Sequence, residues 1–303
     1  AVCPLYKVGG PATAGAAWVS EMIEYCTENR VPLDFITTHT YGVKEGYLDE
    51  FGSAGTILDP DYLSVARDIR KSKQEILNSP MPYLELHYTE WSSSYTPSDP
   101  VHDSYIEAAF ILEKIKQSQD YADSMSYWVF TDIFEEAGPR FTPFHGGFGL
   151  LNYQGIKKAA YHAYEYLNAL GTTELVSDSQ RSYICKDNTG NVQILCWNYT
   201  NIHPGKDVNN QDFFNKDLPA QKKMQLQIDI TSLPNGKYSV LKYKTGYSCN
   251  DPYTYYIKEG ANKQLTKSQT IVLKEKGLLP PIESEMTVTD EKCTIRRQQT
   301  FFF

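Results

Sequence analysis

The sequence predicts an α/β region followed by an all-β region: the second half of a (β/α)8 TIM barrel, then an antiparallel β-sandwich. Two observations carry this. Up to residue 170, short apolar runs alternate with stretches of helical periodicity, the rhythm of a parallel sheet covered by helices. Beyond Gly171 the texture becomes apolar–polar alternation broken by polar turns, as in a sandwich. The expected units are therefore 1–170 and 171–303.

In the first unit, Leu5 to Val8 leads into Gly9-Gly10-Pro11 and then a helical stretch from about Ala16 to Glu28. Phe35 to Thr38 reads as a short strand, followed by a loop with several glycines. Asp59-Pro60 is expected to open a helix, with the aspartate as cap and the proline at the first helical position. Tyr83 to Tyr88 is the next strand, and Asp103 is expected to cap a helix whose apolar face holds Ile106, Ala109, Phe110 and Leu112. Tyr127 to Phe130 follows as a strand. Ile156, Ala160, Ala163, Leu167 and Leu170 then recur at helical spacing and stop at Gly171, a glycine placed as a helix stop. Four such units leave an open sheet edge and an uncovered core, so an N-terminal half of the barrel is expected upstream.

The second unit shows Val192, Ile194 and Cys196 in alternation, then Met224, Leu226, Ile228 and Ile230, the turn pair Asn235-Gly236, and Tyr238, Val240 and Leu241. No helical pattern is read in it.

Composition narrows the class. With 303 residues, 41% hydrophobic and 22% charged, the chain has the make-up of a soluble globular protein. A net charge of −8 and a pI near 5.3 argue against nucleic acid or an anionic membrane as partner, since either favours a basic face. No apolar run reaches the length of a spanning helix, and the opening AVCPLYKVGG lacks the basic start and apolar stretch of a signal peptide. The six cysteines form no CxxC and no Cys/His cluster, which argues against zinc. Cys185 and Cys196 flank an expected turn at 186–191, and pairing about it sets Cys185 opposite residue 194, so free thiols are expected. The 23 tyrosines suit sugar stacking but equally suit cores.

In a barrel, functional groups sit where strands end. The four ends carry GGPAT (Gly9 to Thr13), THTYG (Thr38 to Gly42), HYTEW (His87 to Trp91) and WVFTDIFEE (Trp128 to Glu136). Glycoside cleavage needs two carboxyl groups, held about 5–5.5 Å apart in retaining enzymes, and Glu90 stands at such a strand end. By position alone it reads as a solvated or salt-bridged residue, His39 as a core histidine and Trp128 as a core aromatic.

A resemblance changes that weighting. GGPATAGAAWV (Gly9 to Val19), FITTHTYG (Phe35 to Gly42), LHYTEWSSSYTP (Leu86 to Pro97), HDSYIEAAFI (His102 to Ile111) and SYWVFTDIFEE (Ser126 to Glu136) are similar, in order, to segments of glycoside hydrolase family 39, the β-xylosidase and α-L-iduronidase family. FHGGFGLLNYQGIKKAAYHAYEYL (Phe144 to Leu167) continues the match, and GYSCNDPYTYYIKEG (Gly246 to Gly260) resembles the family's C-terminal strands. The resemblance implies a retaining exo-glycosidase acting on β-xylosides such as xylo-oligosaccharides, with no metal and no organic cofactor. It assigns Glu90 as catalytic nucleophile, His39, Tyr41 and Tyr95 as its neighbours in the site, and Trp128 as an aromatic platform. Glu135 and Glu136 match the pair that binds sugar hydroxyls; Glu135 is preferred, because Glu136 has Arg140 near it in sequence.

One departure matters. The family's general acid/base lies in an Asn-Glu-Pro motif, and no such motif occurs in these residues. A lone nucleophile cannot protonate the leaving oxygen, so the chain by itself is expected to be inactive unless an N-terminal half supplies that group. Two rival readings stand beside this one: the same machinery acting on an iduronide or arabinoside, or a non-catalytic sugar-binding or interaction protein. A basic residue for a uronic carboxylate is absent from the quoted motifs.

Overall fold

In the structure, a computed structural model that describes residues 3, 5–52, 54–133, 138, 140–205, 208–220 and 226–297, the first strand starts later than its apolar lead-in suggests. β1 spans Gly9–Thr13, while Leu5, Tyr6 and Val8 stay exposed. Gly9 is demanded by packing, because a Cβ there would overlap the Phe35 ring. Helix α1 (Val19–Asn29) buries Val19, Ile23 and Cys26, residues four and three apart on one face. β2 (Phe35–Tyr41) follows. The glycine-bearing stretch expected as a loop instead pairs as a hairpin of β3 (Val43–Leu48) and β4 (Ala54–Leu58).

Asp59-Pro60 opens no helix. The Asp59 carboxylate accepts the Asp61 N–H, and Asp61 accepts the Leu63 N–H, local turns that compete with helix. Helix α2 therefore begins at Ala66 and runs to Leu77. β5 (Glu85–Ser92), α3 (Ile106–Ser118), β6 (Ser124–Tyr127) and α4 (Ala159–Asn168) complete the region. Asp103 does not cap α3, whose N-cap position is Tyr105; its carboxylate pairs with buried Lys158. Trp128 to Phe130 lie past the end of β6 rather than inside a strand. Gly171 lies beyond the Ala169 cap of α4, and a Cβ there would overlap the Lys186 backbone, so a close crossing explains that glycine.

β1, β2, β5 and β6 form one parallel sheet in that order, as the βα rhythm predicts. The helices pack in sequence, α1 on α2, α2 on α3, α3 on α4. From the sheet, Ile36, Leu86 and Tyr88 are fully buried toward them, and the Tyr88 hydroxyl meets Ser72 Oγ of α2 at 3.0 Å. Helix α3 is buried from Ile106 through Lys114 because later residues cover its outer side. Trp197 donates from Nε1 to Glu113 at 2.7 Å, and Tyr105 donates to Leu218 O.

The second region holds β7 (Thr173–Glu174), β8 (Ser182–Lys186), β9 (Val192–Cys196), α5 (Asn210–Phe213), β10 (Leu226–Thr231), β11 (Gly236–Lys242), α6 (Pro252–Lys258), α7 (Lys267–Lys276), β12 (Ile282–Val288) and β13 (Lys292–Arg297). Its strands form separate antiparallel sheets, β7-β8-β9, β10-β13 and β11-β12. Asn235-Gly236 does not close a hairpin, since β10 and β11 each pair with a later strand. Cys185 lies opposite Gln193, one residue from the expected partner, and the cysteines are free.

The expectation of no helix here is overturned, and so is the strand reading of Gly246 to Gly260. Asp251 accepts the Thr254 N–H, Pro252 opens α6, and Tyr253 and Tyr256, three apart, both pack on Phe144. That spacing is a helical face, which an aromatic-rich run conceals. The ten residues of α7 stay just under three turns. Among the described residues, no helix is long and apolar enough to cross a membrane.

Candidate active site

The site is built at the C-terminal ends of β2 and β5. In β2, Thr37, His39 and Tyr41 share one face, opposite Ile36, Thr38 and Thr40, which are buried toward the helices. β5 begins in the same phase, with Leu86 and Tyr88 turned to the helices. Strict alternation would then send Glu90 to the helices as well, because a strand's side chains repeat every two residues. A bulge prevents this. Thr38 pairs with Tyr88 but His39 pairs with Glu90, so Thr89 is the extra residue. The partner on the other side agrees, since three steps on β5, Tyr88 to Trp91, match two on β6, Met125 to Tyr127. The bulge re-aims the strand end: Glu90 faces the site, and Trp91 turns inward between Phe110 and Tyr127, fully buried.

Glu90 is thereby presented to both predicted β2 neighbours. The Tyr41 hydroxyl donates to Glu90 Oε2 at 2.7 Å, and His39 Nδ1 lies 3.5 Å from the same oxygen. The carboxylate keeps 25% of its side-chain surface exposed, open to an incoming ligand. A donor on a carboxylate oxygen both orients it and strengthens under low local dielectric.

Tyr95 joins from the loop after β5. Its ring stands edge-on to Tyr41 with centroids 6.2 Å apart, and it is 48% exposed, forming a rim. The β3–β4 hairpin borders it, since a Cβ on Gly46 would stand 3.2 Å from the Tyr95 hydroxyl. Trp128 is half-buried, and its backbone N–H donates to Trp91 O at 3.0 Å. The platform candidate is thus tied to the residue that follows Glu90. Glu135 and Glu136 lie outside the described residues.

Sequence reasoning missed the hairpin and the network that fixes it. Asp99, 0% exposed, accepts from Thr56 Oγ1 at 2.6 Å and from Asn210 Nδ2 at 2.7 Å. Asn210 also accepts the Leu58 N–H, and Gln211 accepts that of Thr56. Helix α5, from the second region, therefore pins both the hairpin and the loop leading from Tyr95. No spacing in the sequence signals a bond between residues more than 100 positions apart. No group of three or more metal-ligating side chains occurs among the described residues.

Comparison with known proteins bears out the family that the sequence resembles. The family model of glycosyl hydrolases family 39 matches residues 1–284. A β-xylosidase of Geobacillus stearothermophilus is 37% identical over 203 residues, covering 65% of this chain and 40% of that protein. Among solved structures, a monomeric β-xylosidase from Caulobacter crescentus CB15 superposes with a TM-score of 0.92 at 41% identity, over 98% of this chain and 60% of that one. The GH39 enzyme from Xanthomonas axonopodis pv. citri gives a TM-score of 0.91 at 42% identity, over 98% of this chain and 59% of that one. The chain thus spans less than half of the curated relative and about three-fifths of each solved chain.

Proposed function

The chain belongs to glycosyl hydrolases family 39, and on that premise we propose that it is part of a retaining glycosidase that cleaves β-xylosides, with Glu90 as nucleophile. The observation that carries this is the convergence of Tyr41 and His39 on one oxygen of Glu90, 2.7 and 3.5 Å away. The β-xylosidase names of its relatives support the choice of sugar. In this reading, residues 1–170 are the last four βα units of a (β/α)8 barrel and 171–303 a β-sandwich.

The chemistry follows from two carboxyl groups. Glu90 attacks the anomeric carbon, a carbon–oxygen bond forms to its carboxylate, and the glycosidic bond breaks. The leaving oxygen takes a proton from a general acid, which these residues do not include and which a further chain segment would supply. Water, deprotonated by the same group acting as base, then attacks the anomeric carbon and releases Glu90. Tyr41 holds the carboxylate in line for attack, and Tyr95 and Trp128 present faces on which a pyranose ring packs. Glu135 and Glu136 complete the reading as hydroxyl-binding carboxylates.

Covalent trapping tests this. A 2-deoxy-2-fluoro-β-xyloside with a good leaving group should inactivate the full-length protein by forming an ester whose mass is found on the peptide bearing Glu90. A label on another carboxylate, or none despite turnover of aryl β-xylosides, would overturn the assignment.

A further inference from the structure

Between β6 and α4 the chain passes through His145-Gly146-Gly147-Phe148-Gly149, a run to which the reaction gives no part. It is wedged between two loops. Toward the loop after β5, Gly146 O accepts from the Asp99 N–H at 3.0 Å and from His102 Nδ1 at 2.9 Å, while the Gly146 N–H donates to Asp103 Oδ2 at 2.6 Å. Toward the loop after β6, the Val129 N–H donates to Phe148 O at 3.2 Å, and the Gly149 N–H donates to Asp132 Oδ1 at 2.7 Å. The glycines are steric necessities. A Cβ on Gly146 would overlap the Asp99 backbone, one on Gly147 the Asp132 carboxylate, and one on Gly149 the Thr131–Asp132 backbone.

Under the wedge lies Lys158, just ahead of α4. Its ammonium pairs with Asp103 Oδ1 at 2.6 Å and Asp132 Oδ2 at 2.8 Å, and it donates hydrogen bonds to Asp132 Oδ1 at 3.0 Å and to Gly147 O at 2.9 Å. The side chains of Lys158, Asp103 and Asp132 are each 0% exposed. Taking three charges out of water is costly, and apolar side chains of similar volume would often stabilise a fold as well. What the ions add is a fixed meeting point for three backbone segments.

We propose that Lys158 is a positioning residue: by joining Asp103, Asp132 and Gly147 it sets the place of Trp128 relative to Glu90. The path is short. Val129, next to Trp128, bonds to Phe148 O, and Asp132, four residues on, accepts the Gly149 N–H; Trp128 bonds to Trp91, and Asp103, beyond the loop that leaves the Glu90 strand, accepts the Gly146 N–H. Without the ammonium, two buried carboxylates face each other and the wedge parts from both loops. The proposal rests on the reading of Glu90 as nucleophile and Trp128 as platform.

Lys158→Met alone strands two charges, so the decisive variant is D103N/D132N/K158M, which removes all three at nearly constant volume. It is compared with the full-length wild-type protein on an aryl β-xyloside and by amide hydrogen exchange. A displacement near 1 Å costs about a hundredfold, so we expect a folded variant whose kcat/KM falls about a hundredfold, shared between a higher KM and a lower kcat. Exchange should quicken at Val129–Asp132 and Gly146–Gly149 while the four-stranded sheet stays protected. A variant that folds with wild-type KM and kcat overturns the proposal. So does one that fails to fold, because the cluster then serves folding alone. Quickened local exchange in a protein that hydrolyses no glycoside would sink the reading of the site and leave the tether standing.

Discussion

Shortening Glu90 by one methylene tests the nucleophile most sharply. Glu90→Asp keeps the charge but withdraws the carboxylate by about 1.5 Å, one carbon–carbon bond. Starting from 2.7 Å, the Tyr41 hydroxyl can no longer reach it. Losing a hydrogen bond to a charged group costs about 1.5–3 kcal/mol, or roughly 10–100-fold in rate. Misplacing a reacting atom by about 1 Å costs about a hundredfold by itself. Both losses stem from one displacement and do not add fully, so kcat for an aryl β-xyloside should fall about 10²–10³-fold. The fold should hardly notice, because Glu90 keeps a quarter of its side-chain surface in solvent. Glu90→Gly removes the nucleophile outright, so hydrolysis should nearly vanish. Azide should then restore part of the turnover from the emptied side and give the α-glycosyl azide. The assay is release of the aryl alcohol with and without azide, with the product's anomeric configuration read by NMR. If Glu90→Gly keeps more than a tenth of wild-type activity without azide, Glu90 is not the nucleophile.

Further outcomes follow from the same geometry. With the bulge at Thr89 kept, an alanine inserted after it moves Glu90 opposite Thr40, on the helix-facing side, and should abolish hydrolysis, whereas deleting Thr89 leaves Glu90 opposite His39 and should preserve measurable activity; equal effects would refute the role of the bulge. Tyr41→Phe should lower kcat/KM by about 10–100-fold, the worth of one charge-assisted bond, and an unchanged value would deny Tyr41 its orienting role. Burial pushes the Asp251 carboxyl up from 3.8 to about 6. Between those values the folded chain holds a proton that the unfolded chain has lost, so stability should fall by about 3 kcal/mol as pH rises from about 4 to 6. In urea titrations, Asp251→Ser should lose that slope while keeping a cap. Burial pushes Lys114 down from 10.5 to about 8. There the unfolded chain holds the extra proton, so stability should instead rise by about 3 kcal/mol from about pH 8 to 10.5. Lys114→Met should flatten that rise, and a slope equal to wild type would refute the assignment.

The sequence by itself determined the parallel α/β region, because a period near 3.6 alternating with short apolar runs leaves a helix-covered sheet as the natural way to bury both. Its motifs also pointed to Glu90, His39 and Tyr41, and the tertiary structure places these three together. What only that structure decided depends on partners remote in the chain. The residue that stands out at Thr89 is chosen by the register of two neighbouring strands, so simple alternation would have buried Glu90. The tyrosines of α6 read as a strand until Phe144, more than a hundred positions earlier, selects their three-residue spacing as a buried face. β10 ignores the adjacent strand for β13 because pairing is settled by which edges meet in space. Asp103 looked like a helix cap, since local rules prefer that use of an aspartate. A buried lysine 55 positions on, which it meets at 2.6 Å, claims it instead. Periodicity and capping act over one or two turns and can be read along the chain; registers and buried charges are set by contacts that exist only after the chain has folded.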